Sequence, residues 1–319
     1  MSLMHIAPER RRALDVIHKA QMEFIRLAEE LGREALALSG KIDFKRKTAF
    51  NCAEESVTEL DIKNSEKLIN ALRRYIPGTY SEEHFAPFDE RVRHNVLCFI
   101  DPIDGTDEFI AGLKEHFSIL ASFFVQDEAG RFEPVAAVIH IPGREGGLTW
   151  YNNVHTGELC CDKQGVRQRF SPLATLRAPS EVRRVGVRGL DLEKGPERMP
   201  YLQKLLPFLE GKGEFKEQGL SQILGRKVEI GIIGSAGSMI SDILEGRVDL
   251  IIINYQYSKE WDAAPGVVLL ESAGGYVCKL NGEPHSFNKK EPLITGGSLV
   301  SLKLPKGILL RAVPSSLLV

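Results

Sequence analysis

The sequence predicts a layered fold of helices and sheets, with an α+β first half and an α/β second half. Apolar residues recur at helical spacing among charges over residues 8–38. Short apolar runs rich in β-forming residues follow between residues 96 and 151. Helical and strand patterns then alternate between residues 238 and 279. The chain has 319 residues, 43% of them hydrophobic, so it can bury a sizeable core.

The first half opens with the long amphipathic helix over residues 8–38, followed by a polar stretch over residues 39–55. A second helical pattern has Asp61 near its start and ends at Pro77 and Gly78. Residues 96–100 then predict a buried strand that carries Asp101 at its carboxyl end. Further strands are predicted at residues 118–125, 135–141 and 148–151, as in a meander or mixed sheet.

The second half begins with a polar segment, residues 155–227, for which the pattern predicts mainly loops, one helix at 198–209 and little chemistry. After it we expect a helix at 238–244, a strand at 248–253, a helix at 263–272 and a strand at 276–279. A soft boundary near Asn152 divides the chain into an α+β half, residues 1–152, and an α/β half, residues 153–319.

Composition excludes several classes of protein. The chain has 41 Lys and Arg against 43 Asp and Glu, so a net charge of -2 provides no field that would attract a nucleic acid polymer or an anionic membrane. No apolar run reaches the length of a membrane span, and the first residues lack the apolar core of a signal peptide. We therefore expect a cytoplasmic protein.

Cysteine usage agrees with a reducing compartment. The five cysteines are odd in number and form no CxxC pair, which predicts neither a disulfide framework nor a zinc site. They are Cys52, Cys98, Cys160, Cys161 and Cys278. The adjacent pair Cys160 and Cys161 has no neighbour that would lower a thiol pKa, so we assign it no role.

An acidic run, DPIDGTDE at residues 101–108, follows the predicted strand directly. Such a run usually covers a solvated surface. Here Pro102 and Gly105 predict a turn, and a helix is expected to begin at Thr106, so backbone N–H groups would face whatever Asp101 and Asp104 hold. The run therefore predicts a site where a metal ion and a phosphate meet.

Phosphate-ester hydrolysis explains why carboxylates are needed. Water must attack a centre surrounded by negative oxygens, and the departing alkoxide needs charge compensation, both of which Mg²⁺ can provide from hard oxygen ligands. Three acidic clusters contribute: Glu82 with Glu83, Asp101 with Asp104, and Asp262. The sequence thus predicts two or three Mg²⁺ ions and a small phosphate ester as substrate. The histidines His84, His116 and His140 are given no role, because a hard-metal site does not need them.

Three other motif interpretations fail on spacing. A haloacid-dehalogenase-type phosphatase needs Asp-x-Asp-Gly-Thr, and position 102 is Pro. Ile103 and Gly105 interrupt the alternating oxygen ligands of an EF-hand. The glycines at 231, 234 and 237 have GxxGxxG spacing, which differs from the dinucleotide-binding fingerprint.

Four motifs together resemble the inositol monophosphatase superfamily over about residues 16–275. They are VTELD at 57–61, SEE at 81–83, DPIDGT at 101–106 and WDAA at 261–264. The resemblance implies an αβαβα sandwich of the inositol monophosphatase and fructose-1,6-bisphosphatase type. It places the active site between the two halves of the chain, with most metal ligands in the first half.

The resemblance also assigns roles residue by residue. It implies that Glu82, Asp101 and the Ile103 carbonyl hold a first metal, and that Asp101, Asp104 and Asp262 hold a second. Asp61 with Thr106 would orient and deprotonate the attacking water, with Glu83 beside the site. The Gly105 and Thr106 amides would bind phosphate, and Ser235 belongs to the substrate-side segment GSAGSM at 234–239.

From sequence alone, three of these residues could instead have purely structural roles at helix starts. Asp61 suits the first turn of a helix, where a carboxylate interacts favourably with the helix dipole. Thr106 suits a helix start, which is compatible with phosphate binding. Asp262 suits the N-cap of the helix that ends at Gly274, and we expect it to be both cap and metal ligand.

Within the superfamily, SEE and the continuation DEFI at 107–110 are more similar to the 3'(2'),5'-bisphosphate nucleotidases. A Lys that often follows the GSAGSM segment in that branch is absent here. A 3'(2')-phosphorylated adenosine nucleotide is the first substrate candidate, and an inositol or sugar monophosphate is the second. A non-catalytic binding protein on the same scaffold is the alternative of another class, although none of the acidic residues is lost.

The resemblance carries further expectations. Li⁺ should inhibit, and a homodimer is compatible with the family. Asp104→Asn is expected to abolish Mg²⁺-stimulated turnover with little loss of fold. Residues 155–235 and 254–259 should shape specificity.

Overall fold

The computed structural model describes residues 7–48, 54–170, 182–253, 258–302 and 304–314. Cys52 and residues 254–257, which figure in the predictions from sequence, lie outside the described residues. In the described part, the helices are α1 (Pro8–Leu38), α2 (Glu59–Leu72), α3 (Phe88–Arg91), α4 (Thr106–Ile110), α5 (Gly189–Lys194), α6 (Leu202–Glu210), α7 (Leu220–Leu224), α8 (Ala236–Leu244), α9 (Glu260–Ser272) and α10 (Lys306–Ala312).

The strands form two sheets and a hairpin. They are β1 (Phe44–Thr48), β2 (Glu54–Thr58), β3 (Gly78–Ser81), β4 (Val96–Asp104), β5 (Ser118–Gln126), β6 (Phe132–Ile141), β7 (Leu148–Asn152), β8 (Leu159–Lys163), β9 (Val166–Arg169), β10 (Val182–Arg188), β11 (Lys227–Ile233), β12 (Leu250–Ile253), β13 (Tyr276–Cys278) and β14 (Ser298–Ser301). Strands β3 to β9 form one sheet in chain order, and the other has the order β11-β10-β12-β14-β13. Strands β1 and β2 pair with each other.

Successive side chains of a strand point to opposite faces of the sheet, and the two faces pack against different layers. In β5, Ile119, Ala121 and Phe123 face the core formed with α1 and α2. Leu120 points the other way and packs with α8, α9 and the inner face of the second sheet. The outer face of that sheet, including Leu250 and Ile252, is covered by α6, α7 and α10. Since successive side chains point to opposite faces, the result is an αβαβα sandwich, as predicted.

Two segments differ from the sequence predictions. The polar stretch at 39–55 contains β1 and the start of β2. The described residues of the segment 155–227 are not mainly loops, because they contain β8, β9, β10 and the first residue of β11 as well as three helices. The strand β9 is exposed at every residue and β10 carries three arginines, so neither has the apolar alternation that reveals a strand.

The first sheet continues past Asn152, because β7 pairs with β8 and β8 with β9. The division of the chain at residue 152 remains a prediction. Within the described ranges, no helix combines the length and apolar character needed to cross a membrane.

Candidate metal and phosphate site

Three carboxylates meet where the first sheet approaches α9. Asp101 and Asp104 lie at the end of β4, where the pairing with β5 shifts register between them. Together with Asp262 from α9, each offers one carboxylate oxygen within 4.8 Å of the others. Asp101 and Asp104 are only 4% and 5% exposed. In the sequence these residues belong to two separate motifs, DPIDGT and WDAA, and the fold brings them together.

Burial raises the pKa of each carboxyl group in this cluster. For Asp101 the negative charges of Glu82 and Asp104 add to the increase. The pKa of Asp262 rises to about 8, mainly through burial and despite the opposing charge of Lys259. The three groups offer only hard oxygen donors, so a divalent cation such as Mg²⁺ fits the cluster and would relieve its repulsion.

Asp104 connects the two halves of the chain. Its Oδ1 accepts the Ala236 N–H at 3.1 Å, and its Oδ2 accepts the Gly237 N–H at 2.7 Å. The Ser118 hydroxyl also donates to Oδ2. The Asp104 carboxylate is therefore oriented by the first turn of α8 before any ligand is present.

The sequence predicted that Asp262 is the N-cap of its helix, but Asp262 is the third residue of α9. The helix already begins at Glu260, because Lys259 is the last residue with extended backbone. Asp262 still has a capping role, since its Oδ2 accepts the Lys259 N–H at 2.7 Å. One oxygen thus holds the helix start, and the carboxylate also belongs to the acidic cluster.

Glu82 lies beside the cluster and interacts with two lysines. Its Oε1 is 3.0 Å from Lys47 Nζ and 3.8 Å from Lys259 Nζ, and its Oε2 accepts the Trp261 indole N–H at 3.1 Å. Although burial opposes it, the two ammonium groups lower the pKa of Glu82. Glu83 accepts a hydrogen bond from Lys47 at 2.6 Å. Sequence reasoning missed both lysines, because neither lies in a motif.

Asp61 and Thr106 are brought together from α2 and α4. The Thr106 hydroxyl lies 3.2 Å from Asp61 Oδ1 and 3.1 Å from the Ile103 carbonyl oxygen. The other Asp61 oxygen accepts the Thr58 N–H at 2.8 Å and the Thr58 hydroxyl hydrogen. Burial raises the pKa of Asp61 to about 6, although the bonds from Thr58 oppose the increase. Asp61 also occupies the first turn of α2, as the simpler of its two predicted roles requires.

Gly105 allows a tight approach between the two halves. Its φ of 83° is in the left-handed region, and a Cβ added there would lie 2.5 Å from Ser235 Cβ. Ser235 is buried directly before α8, with its hydroxyl 3.3 Å from that of Ser118. A glycine is therefore required where α4 begins.

One cavity of about 370 Å³ unites most of the predicted site. The predicted residues that line it are Glu82, Asp101, Ile103, Asp104, Gly105, Thr106, Ser235 and Asp262. Asp61 and Glu83 are not among its lining residues, and Asp61 is connected to it through Thr106. The volume lies in the range of small-molecule sites.

The second half contributes a wall that sequence reasoning missed. Arg188 at the end of β10, with Asp191 and Lys194 of α5, lines the same cavity. The Nε and Nη2 atoms of Arg188 donate hydrogen bonds to the two oxygens of the buried Glu108 carboxylate of α4. Residues 155–227, for which the sequence predicted little chemistry, therefore contribute charged side chains to the cavity wall. One arginine, one aspartate and one lysine spaced over residues 188–194 do not form a recognisable motif.

Comparison with known proteins identifies the family. The model of the inositol monophosphatase family matches residues 13–314. The Golgi-resident adenosine 3',5'-bisphosphate 3'-phosphatase of Mus musculus is 26% identical over 280 residues, which are 86% of this chain and 66% of that protein. The fructose-1,6-bisphosphatase/inositol-1-monophosphatase of Thermotoga maritima is 27% identical over 270 residues, 83% of this chain and 87% of that protein.

A solved structure supports the fold. The crystal structure of an IMPase/NADP phosphatase complexed with Mg²⁺ and phosphate superposes with a TM-score of 0.63 at 15% identity. The match covers 94% of this chain and 95% of that one, so the layered architecture is shared along almost the whole length.

Proposed function

This chain belongs to the inositol monophosphatase family, whose members are phosphatases, and from that premise we propose that it is a Mg²⁺-dependent phosphomonoesterase acting on a 3'(2'),5'-bisphosphate nucleotide. The observation that carries the proposal is a single cavity lined both by Asp101, Asp104 and Asp262 and by the cations Arg188 and Lys194. The carboxylates suit metal ions at a scissile phosphate, and the cations suit a second phosphate.

For the metal ions we propose the ligand sets that the family resemblance implies. Glu82, Asp101 and the Ile103 carbonyl would hold one ion, and Asp101, Asp104 and Asp262 would hold another. When bound, Mg²⁺ would polarise the phosphate oxygens and lower the pKa of water. The Mg²⁺ named for the similar solved structure supports this choice.

The chain's own residues would then orient water and phosphate. With its hydrogen directed to Asp61 Oδ1, the Thr106 hydroxyl oxygen can accept a hydrogen bond from the attacking water. Asp61 can take up the proton through that contact, because its carboxylate is held by Thr58 from behind. The Gly105 and Thr106 amides would bind phosphate, and Glu83 would act beside the site through Lys47.

A second phosphate distinguishes the bisphosphate nucleotide from an inositol or sugar monophosphate. Lys194 Nζ lies 4.0 Å from Asp107 Oδ2 and is 44% exposed, so it can turn towards a ligand. Arg188 is 27% exposed beside Glu108. The mouse relative is named for an adenosine 3',5'-bisphosphate, which has two such phosphates. An inositol or sugar phosphate is the second candidate, supported by the name of the Thermotoga maritima relative.

The test is phosphate release from adenosine 3',5'-bisphosphate, adenosine 2'-monophosphate, inositol 1-phosphate and fructose 1,6-bisphosphate, each with Mg²⁺ and with EDTA. We expect EDTA-sensitive release with the highest kcat/KM for the bisphosphate nucleotide. Lys194→Met should reduce the preference for the bisphosphate over the monophosphate nucleotide by about tenfold. A higher kcat/KM for inositol 1-phosphate or fructose 1,6-bisphosphate would overturn the nucleotide assignment, and EDTA-resistant turnover would overturn the metal assignment.

We also infer a cytoplasmic location. The four described cysteines, Cys98, Cys160, Cys161 and Cys278, are free and buried, which agrees with a reducing compartment. Burial also raises the pKa of Cys160 and Cys161, which supports the view that this pair is unreactive.

A further inference from the structure

The wall of the cavity formed by α5 and α6 contains a carboxylate with an unused oxygen. Asp191 lines the cavity and is 2% exposed. Its Oδ2 accepts the Tyr201 hydroxyl hydrogen at 2.7 Å, which orients the group. Its Oδ1 is buried and has no hydrogen-bond partner among the residues that the structure describes. Since a buried acceptor without a donor is costly, this oxygen points to a donor supplied by a ligand.

The surroundings of Asp191 favour a flat heterocycle over a polyol. Val187, Met199, Leu205 and Ile252 line the same cavity and belong to the apolar core between the second sheet and its outer helices. A sugar or inositol placed among them would lose water from several hydroxyl groups that these side chains cannot satisfy. A purine presents apolar faces and few polar atoms at its edge.

We propose that Asp191 is a specificity-determining residue, whose Oδ1 accepts a hydrogen bond from the exocyclic amino group of a 6-aminopurine in the leaving nucleotide. The ring lies among Met199, Leu205 and Ile252, and Tyr201 holds the carboxylate in position. The assignment rests on the proposed phosphatase function and specifies its substrate class. An ionised carboxylate only accepts hydrogen bonds, so a 6-oxo purine, which presents a carbonyl there, is disfavoured.

The experiment compares kcat/KM for adenosine 3',5'-bisphosphate with that for inosine 3',5'-bisphosphate in the Mg²⁺-loaded enzyme. We expect the wild-type protein to favour adenosine by at least about tenfold. In Asp191→Asn the ratio should fall to about threefold or less, because an amide can both donate and accept. Tyr201→Phe removes the hydrogen bond that orients the Asp191 carboxylate, so it should lower the ratio of adenosine to inosine turnover by less than Asp191→Asn does. This variant also tests the proposal if Asp191→Asn does not fold.

Glu193→Gln is the matched control. It removes one negative charge from the same helix at an exposed position outside the cavity lining, and its ratio should equal that of the wild type. Equal turnover of the two nucleotides by the wild-type protein would overturn the role of Asp191 and leave the phosphatase assignment intact. An unchanged ratio in both Asp191→Asn and Tyr201→Phe would do the same. Turnover of inositol 1-phosphate with no turnover of either nucleotide would overturn both the nucleotide substrate and this inference.

Discussion

At the scale of single residues, the acidic side chains of the site each have a structural contact as well as a place in the cluster. Asp101 Oδ1 accepts the Ile103 N–H at 3.0 Å, and Asp262 Oδ2 accepts the Lys259 N–H. Asp104 differs, because both of its oxygens already accept backbone hydrogens. Pre-orientation of this kind lowers the entropy that metal binding must overcome.

Because only one Asp262 oxygen accepts a backbone hydrogen bond from the described residues, Asp262→Asn is the better variant for testing metal binding by the acidic cluster. Its remaining oxygen can still accept the Lys259 N–H, while one negative charge leaves a crowded group. We expect Mg²⁺-stimulated phosphate release to fall by on the order of 100-fold or more. The melting temperature in EDTA should equal or exceed that of the wild type, and the increase caused by Mg²⁺ should be smaller. Wild-type turnover in this variant would contradict the metal assignment.

Asp104→Asn is a less specific test of metal binding than the sequence suggested, because it also affects stability. Its amide would place N–H groups against donors from Ala236, Gly237 or Ser118. We expect a loss of about 1–3 kcal/mol in the free energy of unfolding in addition to the loss of activity. Urea unfolding of both variants in EDTA checks this, and equal stability would show that the contacts from α8 adapt.

His140 should give the protein a stability term that depends on pH. Its Nδ1 lies 2.9 Å from the Thr149 hydroxyl, and α1 covers it so closely that a Cβ on Gly32 would lie 2.6 Å from its Nε2. Burial, with a smaller effect from Arg33, lowers the pKa of His140 to about 4. The unfolded chain binds this proton near pH 6.5. The neutral His140 therefore makes its full contribution to the free energy of unfolding above pH 6.5, and this contribution is lost as the pH falls towards 4.

We expect the wild-type protein to lose about 2 kcal/mol more than His140→Gln between pH 7 and pH 5. Urea unfolding of both proteins at both pH values measures this double difference, in which the other titrating groups cancel. An identical pH dependence in the two proteins would show that His140 binds its proton equally well when folded.

At the scale of an element, the start of α2 couples helix stability to the proposed catalytic group. Thr58 is the N-cap and has extended backbone, and its hydroxyl contacts both the backbone N–H and the carboxylate of Asp61. The same interaction therefore caps the helix and holds the side chain that contacts Thr106.

Thr58→Ala should lower the free energy of unfolding by about 1 kcal/mol. It should also lower kcat by about tenfold with a smaller change in KM, because Asp61 loses a partner but the phosphate contacts remain. Thr58→Ser is the control and should restore both quantities. Loss of stability with unchanged kcat in the alanine variant would show that Thr58 acts only as a cap.

At the scale of the whole molecule, the site depends on contacts between the two halves. Gly105 meets Ser235, Asp104 meets the start of α8, and Glu108 of α4 holds Arg188 of β10. Glu108 is 1% exposed and Arg188 is 27% exposed, so this ion pair is shielded on one side. These contacts lie beside the cavity that residues from both halves line.

Glu108→Gln should therefore reduce the free energy of unfolding by about 1–3 kcal/mol, a range that allows for the solvent around Arg188. It should also reduce the preference for a bisphosphate nucleotide, because Arg188 loses the group that orients it. Glu229→Gln, which removes an exposed partner of Lys227, is the control and should change little. A stability loss as small as in the control would show that the pair between the halves is dispensable.

The sequence by itself determined the features that depend on local spacing. The 31-residue α1, the start of β4, the turn at Gly105 and the helix that follows it were all predicted, because periodicity, turn residues and helix starts act over a few residues. The family motifs also identified Asp101, Asp104 and Asp262, which the fold brings together.

Only the tertiary structure decided which distant groups meet. Lys47 on a hairpin strand, Lys259 before α9, and Arg188 and Asp191 on the opposite wall carry no local pattern that distinguishes them from surface polar residues. The position of Asp262 within its helix was also decided there, because the extended backbone at Lys259 sets where α9 begins. Their roles follow from packing two sheets on a shared helical layer, and packing joins residues whose separation along the chain no periodicity encodes.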